Sequence, residues 1–151
     1  MALRGPLRPT EVLIVEDNEG DIALAKLALE ESGVSNNIHV VRNGVEALSY
    51  LGKVPPYQDA IRPDLILMDL NMPRMNGHET LEAIRSEIDF RTIPIIMMTV
   101  SKAEVDVMQS YRLRANCYIV KPANLDDFAD VIRNIQRFWF SVASLPALSN
   151  I

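Results

Sequence analysis

One cysteine, Cys117, is present in 151 residues, so neither an intrachain disulfide nor a cysteine-built zinc centre can form. The two histidines, His39 and His78, are too few for a histidine-based metal site. Long apolar runs are missing. The longest, residues 65–68 and 93–98, fall far short of the roughly 20 residues that span a bilayer. The first ten residues carry two prolines, a glycine and two arginines and have no apolar segment of the kind found in signal peptides. No membrane association and a cytoplasmic, reduced location are therefore expected. A basic cluster is missing too. Lys plus Arg is 15 against 20 for Asp plus Glu, a net charge of −5, which argues against direct nucleic-acid binding. Glycine-rich phosphate loops are also lacking. The first strand runs into Glu16-Asp-Asn-Glu-Gly20, an acidic loop that would repel a bound phosphate and attract a cation. Dinucleotide, P-loop and flavin mononucleotide sites are disfavoured.

What is present is an ordinary globular composition, 48% hydrophobic and 23% charged, in a length that suits one domain. Such a chain buries roughly 70% of its unfolded surface. Residues 1–10 read as a flexible N-terminal tail, 11–144 as the domain, and 145–151 as a C-terminal tail.

Short apolar runs alternate with amphipathic stretches. Residues 12–15, 39–41, 65–68, 93–98 and 117–120 read as strands. Ile22, Ala25 and Leu29 recur at helical spacing up to Ser32-Gly33, a stop signal. Asn43-Gly44 opens a second helix ending near Leu51. Residues 52–63 hold three prolines and read as a loop. A third helix puts Leu81, Ile84 and Ile88 inward, a fourth covers 102–112, and a fifth runs from Leu125 towards Ser144. Continuous apolar strands alternating with helices predict a five-stranded, doubly wound parallel sheet flanked by five helices, since a closed barrel of this kind needs eight strands.

Ligands in such open sheets bind beyond the carboxyl ends of the strands. Strand one ends at Glu16-Asp17, strand three at Asp69, strand four at Thr99-Val-Ser101, and strand five at Lys121-Pro122. Taken singly, each is ordinary; Asp17 alone could cap a helix. Together they place three carboxylates, a hydroxyl and an ammonium on one edge. A hard divalent cation resolves the repulsion among the carboxylates, and Lys121 and Thr99 can hold phosphoryl oxygens. The set suits phosphoryl transfer to a carboxylate.

Over about residues 11–140 the chain resembles a response regulator receiver domain, a flavodoxin-like fold. The likeness rests on Val12-Leu-Ile-Val-Glu-Asp-Asn18, Asp64-Leu-Ile-Leu-Met-Asp-Leu-Asn-Met-Pro73 with Gly77, Ile95-Ile-Met-Met-Thr99 and Tyr118-Ile-Val-Lys-Pro122. It implies that Asp69 is the phosphoacceptor, charged by a sensor histidine kinase in a two-component phosphorelay. It implies Mg²⁺, with Mn²⁺ or Ca²⁺ as substitutes, held by Asp17, Asp69 and the backbone carbonyl of Asn71, with Glu16 acting through a metal-bound water. Thr99 and Lys121 would take phosphoryl oxygens, Tyr118 would be the switch aromatic, and Lys121-Pro122 would be a cis peptide. Asn71, Val100 and Ser101 would tune hydrolysis of the acyl phosphate, the chain's only hydrolytic chemistry.

There are two departures from the family pattern. Val100 stands where a smaller residue is usual, and Tyr111-Arg-Leu-Arg-Ala-Asn116 replaces a Gly-Ala approach to strand five. No output domain is expected after the last helix. Asn116-Cys-Tyr118 and Phe138-Trp-Phe140 with Leu145-Pro146 are similar to single-domain regulators paired with bacterial phytochrome kinases. That likeness implies a light-sensing kinase, with a histidine phosphotransfer protein as a further partner.

Leu125, Phe128, Ile132, Ile135, Phe138 and Val142 form one helical stripe, read as core packing from Leu125 to Ile135. Phe138, Trp139 and Phe140 point roughly 100° apart on a helix and cannot share one core. A homodimer through Phe138, Trp139, Phe140 and Leu145 is expected. The rival readings are a phosphorylation-independent docking or dimerisation module and an aspartyl-phosphate phosphatase. Asn71, where a second acid would be needed, weighs against the latter.

Overall fold

The computed structural model describes residues 8–31 and 33–146. Its strands are β1 (Thr10–Val15), β2 (Asn36–Val41), β3 (Leu65–Met68), β4 (Ile95–Thr99) and β5 (Cys117–Val120). The helices α1 (Glu19–Glu30), α2 (Gly44–Leu51), α3 (Gly77–Ser86), α4 (Glu104–Arg112) and α5 (Leu125–Gln136) alternate with them. The strands form one sheet in the order β2-β1-β3-β4-β5. Every pairing is parallel, with Val15 opposite Val41 on one side and Met68 on the other.

Strand alternation divides the core in two. Leu13, Val15, Ile66, Met68, Ile95 and Met97 face α2 and α3, where Ala47, Leu51, Leu81 and Ile84 close one layer. Val12, Ile14, Leu65, Leu67, Ile96 and Met98 face α1 and α5, closing the other layer with Ala25, Leu29, Phe128 and Ile132. Because both faces are covered, the central strands β1, β3 and β4 are buried along their length and read as largely apolar runs, whereas the edge strand β2 carries Asn36, Asn37 and His39. Asparagine caps four of the helices: Asn18, Asn43, Asn76 and Asn124 each accept a backbone N–H of the first turn. Asn18, not Asp17, therefore caps α1. Gly33, at φ +79°, takes the left-handed conformation expected where α1 stops.

The sheet begins at Thr10, one residue before the expected domain start. Thr10 N–H donates to Ser35 at 3.1 Å, and Arg8 grips Asp64 with two hydrogen bonds of 2.8 and 3.1 Å. Residues 1–7 of the expected N-terminal tail and 147–151 of the C-terminal one lie outside the described residues.

Four expectations are corrected. Ile88 is exposed, because α3 stops at Ser86 and extended Glu87 starts a short 3₁₀ turn that swings Ile88 outward. Leu125 is exposed in the first turn of α5, before the helix meets the sheet. The last helix does not continue as α to Ser144. It widens at Arg137–Val142 into a π-helical turn, which brings Phe140 inward and leaves Val142 exposed. The cis peptide among the described residues is Pro55–Pro56, not Lys121-Pro122. For an X–Pro bond the two isomers differ by only about 0.5–1 kcal/mol, so tertiary context chooses.

Among the described residues no helix is long and apolar enough to cross a membrane.

Candidate functional site

Reading outward along the sheet, strand order reverses between β1 and β3, so their carboxyl ends open a crevice. Glu16 and Asp17 follow β1, and Asp69 follows β3. The two exits are laced together by Asp69 N–H donating to Val15 C=O at 3.0 Å. The carboxylates of Glu16, Asp17 and Asp69 each offer an oxygen within 4.8 Å of the others. Glu16 is buried, whereas Asp17 is exposed. An all-oxygen, anionic donor set open to solvent on one side fits a hard divalent cation that retains waters.

Lys121 reaches this group from the far edge of the sheet. Its backbone N–H donates to Thr99 C=O at 2.7 Å, setting it beside the end of β4. Its ammonium donates to Glu16, to Asp21 Oδ2 at 2.8 Å and to Asp69 Oδ2 at 3.3 Å, with only 6% of the side chain exposed. Burial disfavours that charge, but Asp21, Glu16 and Asp69 more than offset it and hold the ammonium above its ordinary range. Burial, aided by repulsion from Asp69, pushes the Glu16 carboxyl up to about 7 despite Lys121. The remaining Glu16 oxygen accepts the backbone N–H groups of Asp17 and Asn18 at 3.1 and 3.2 Å, shaping the first loop.

The second loop is shaped by Asp69 and Gly77. Asp69 Oδ1 accepts the N–H of Leu70 at 2.7 Å and of Asn71 at 3.4 Å, so its two oxygens have different neighbours. Gly77 N–H donates to Leu70 C=O at 2.7 Å. A Cβ on Gly77 would stand 2.5 Å from Asp69 O and 2.8 Å from Leu70 Cα, so only glycine lets α3 approach the end of β3 this closely.

Thr99 is fully buried at the end of β4, and Val100 beyond it is exposed. Ser101 N–H lies 3.5 Å from Thr99 Oγ1. Ser101 Oγ donates to Asp106 Oδ2 at 2.5 Å on α4, and Ser101 C=O accepts the Tyr118 hydroxyl at 3.0 Å. Burial, partly countered by Ser101, raises the Tyr118 phenol. Phe138 is half exposed and Trp139 partly buried, whereas Phe140 and Leu145 are buried inside this chain. The expected interface set is thereby divided between surface and core.

Asp21 was not anticipated among the site residues. No spacing marks it: Asp17 precedes the Asn18 cap of α1, so the two acids do not share a helix face.

Fold and site together define a flavodoxin-like α/β protein with a cation-ready, acid-and-lysine centre at the β1/β3 switch point. Residues 12–133 match the response regulator receiver domain model, and the chain belongs to that family. It is 37% identical over 139 residues to the response regulator Rcp1 of Synechocystis sp. (strain ATCC 27184 / PCC 6803 / Kazusa), covering 92% of this chain and 95% of that protein. The structure of Mn²⁺-bound Rcp1 superimposes with a TM-score of 0.89 over 92% of this chain and all of that one. The phosphorylated cyanobacterial phytochrome response regulator RcpA is 42% identical, with a TM-score of 0.89 over 92% of this chain and 99% of that one. A response regulator in red light signalling of R. palustris, RPA3017, is 30% identical, with a TM-score of 0.83 over 91% and 98%.

Proposed function

We propose that this receiver accepts a phosphoryl group on Asp69 from the phosphohistidine of a sensor histidine kinase and works as a phosphorylation switch or shuttle. The observation that carries this reading is the convergence of Glu16, Asp17 and Asp69 within 4.8 Å beneath an almost fully buried Lys121 ammonium. A pure docking surface has no use for such concentrated charge.

In the transfer, an Asp69 carboxylate oxygen bonds to phosphorus, and the phosphorus–nitrogen bond breaks. The electron pair leaves with the imidazole. Lys121 and Thr99 donate to the phosphoryl oxygens, and Asp17, Asp69 and the Asn71 carbonyl would hold Mg²⁺, with Glu16 behind a bound water. The cation, when bound, neutralises charge between the acceptor and the incoming phosphoryl group. Water later attacks phosphorus, the phosphorus–oxygen bond to Asp69 breaks, and carboxylate and inorganic phosphate are regenerated. Asn71, Val100 and Ser101 flank that approach and set its rate, and Tyr118 reports the change to the α4 side through Ser101. Similarity to a phytochrome response regulator and to a regulator of red light signalling supports a phytochrome-type kinase as the upstream partner, and a histidine phosphotransfer protein would be the recipient if the chain is a shuttle. Exposed Phe138 and Val142 support self-association through the last helix.

The test is intact mass after incubation with Mg²⁺ and acetyl phosphate. We expect a gain of one phosphoryl group that requires the cation, is abolished by chelation, and is absent in Asp69→Asn. No gain in folded wild-type protein would refute the reading and favour a phosphorylation-independent docking module.

A further inference from the structure

Asp21 touches the centre without belonging to the group that can hold a cation. It stands in the first turn of α1, and its Oδ2 lies 2.8 Å from Lys121 Nζ. The other two carboxylates on that ammonium, Glu16 and Asp69, are both members of the cation-binding cluster; Asp21 is not. An ammonium has three N–H groups, and here each has a carboxylate to meet.

A cavity of about 20 Å³ borders the lysine, lined by Asp21, Glu16 and Asp69 together with Ala25, Met98 and Phe128. A lysine is a point charge on a flexible four-carbon stem, so a carboxylate, not the apolar part of that wall, must fix where its head sits. Asp21 is well placed to do so. Ile22 and Ala25, its neighbours on α1, are buried against the sheet, and the Asp21 side chain is itself 30% exposed.

We infer that Asp21 is a positioning residue that tethers the Lys121 ammonium at the carboxyl edge throughout the phosphorylation cycle. The inference rests on the phosphoacceptor reading above. In that cycle Glu16 and Asp69 both turn oxygens towards the cation, and Asp69 also gains the phosphoryl group. Of the three carboxylates on Lys121, Asp21 alone has neither task. It keeps one N–H engaged while the others are released to meet a phosphoryl oxygen, so the donor is already in place when the transition state forms.

The experiment measures the maximal rate of phosphoryl uptake from acetyl phosphate at saturating Mg²⁺. Mg²⁺ affinity is measured in parallel by calorimetry. The proteins are the full chain, Asp21→Ala and Asp21→Asn. Asp21→Ala is expected to slow the maximal rate about fivefold or more, because the donor is no longer held in place. Its Mg²⁺ affinity should stay within about twofold, because a partly exposed charge outside the ligand set adds little. Asp21→Asn keeps an acceptor oxygen at the same place and is expected to recover most of the rate. An unchanged rate in Asp21→Ala overturns the inference. So does a fall in Mg²⁺ affinity as large as the fall in rate, or an equal loss in Asp21→Asn and Asp21→Ala, since the effect would then be one of charge rather than tethering. Failure of the wild type itself to take up a phosphoryl group overturns the phosphoacceptor reading and this inference with it. Normal uptake in the wild type and both variants overturns the role of Asp21 alone.

Discussion

The Lys121 ammonium, 6% exposed among three carboxylates, is the counter-charge for Glu16 and Asp69. Removing one partner from a buried charged cluster costs more than the interaction itself contributed, because the others are left desolvated and unpaired. Lys121→Ala is therefore expected to destabilise the cation-free protein by about 3 kcal/mol or more. Added Mg²⁺ should restore part of the loss, since a ligand that binds only the folded state raises its stability. Thermal unfolding with chelator and with Mg²⁺ checks both statements.

Tyr50 on α2 offers a separate pH signature. Its ring meets His39 at 5.8 Å and Tyr57 at 5.5 Å, and Glu11 on β1 lies near enough to oppose a second negative charge. Burial first, and then Glu11, push the phenol up to about 12. A phenol whose folded value is raised favours the neutral form in the folded state. Below the unfolded value, near 10, it has no effect on stability. Above it, the unfolded chain sheds the proton more readily, so stability falls as pH rises from about 10 to 12. Tyr50→Phe should flatten that part of an unfolding-midpoint-versus-pH curve, and an unchanged slope would contradict this account.

Among the elements, α3 is joined to the segments leading into β4 and β5 by a buried cation that, among the described residues, has no acidic partner in its hydrogen-bond set. Arg85 donates to the carbonyls of Arg114, Phe90, Arg91 and Ile93 and to Asn116 Oδ1, at 2.9–3.2 Å. Asn116 Oδ1 also accepts Ile95 N–H at 2.8 Å, so one amide fastens the start of β4 and the guanidinium together. Two residues of the unusual run into β5, Arg114 and Asn116, thus meet Arg85. Arg114 adopts φ +70°, a conformation in which a glycine would be relaxed, and its carbonyl is then presented to Arg85. Arg85→Met would keep the bulk and strip the donors from these carbonyls. We expect it to destabilise the fold by about 2–4 kcal/mol in denaturant unfolding, while the metal affinity of the folded fraction stays unchanged.

For the molecule as a whole, the last turns of the chain separate self-association from stability. Phe140 and Leu145 are 8% and 1% exposed, whereas Phe138 is 51% exposed and Val142 67%. Phe138 meets Trp139 edge-on at 5.3 Å and otherwise faces outward. Phe138→Ala should weaken the proposed dimer in sedimentation and leave the melting temperature nearly unchanged. Phe140→Ala should cost about 3–5 kcal/mol of stability, because it empties a core position. If both variants sediment like the wild type, the last helix is not the contact between copies.

Local pattern was enough for the fold and most of the centre. Residues 65–68 and 117–120 are strands as expected, because each is a short, uninterrupted apolar run in a parallel sheet, fully buried in β3 and half-buried in the edge strand β5. The carboxylates after β1 and β3, the hydroxyl at the end of β4 and the lysine after β5 follow from the same logic, since strand ends in an open sheet share one edge. Where the expectations failed, the cause was an interaction between segments distant in the chain. Ile88 and Val142 continued a helical period, but an extended residue and a π turn broke that period for the sake of packing elsewhere. Asp21 stands 100 residues from Lys121. That the two meet depends on how α1 crosses the sheet, which no spacing along the chain can reveal. Periodicity and motif are properties of neighbouring residues, and so the sequence was sufficient for the elements and their order. The partners of a buried charge, and which aromatic turns inward, depend on the space left when all the elements are packed together.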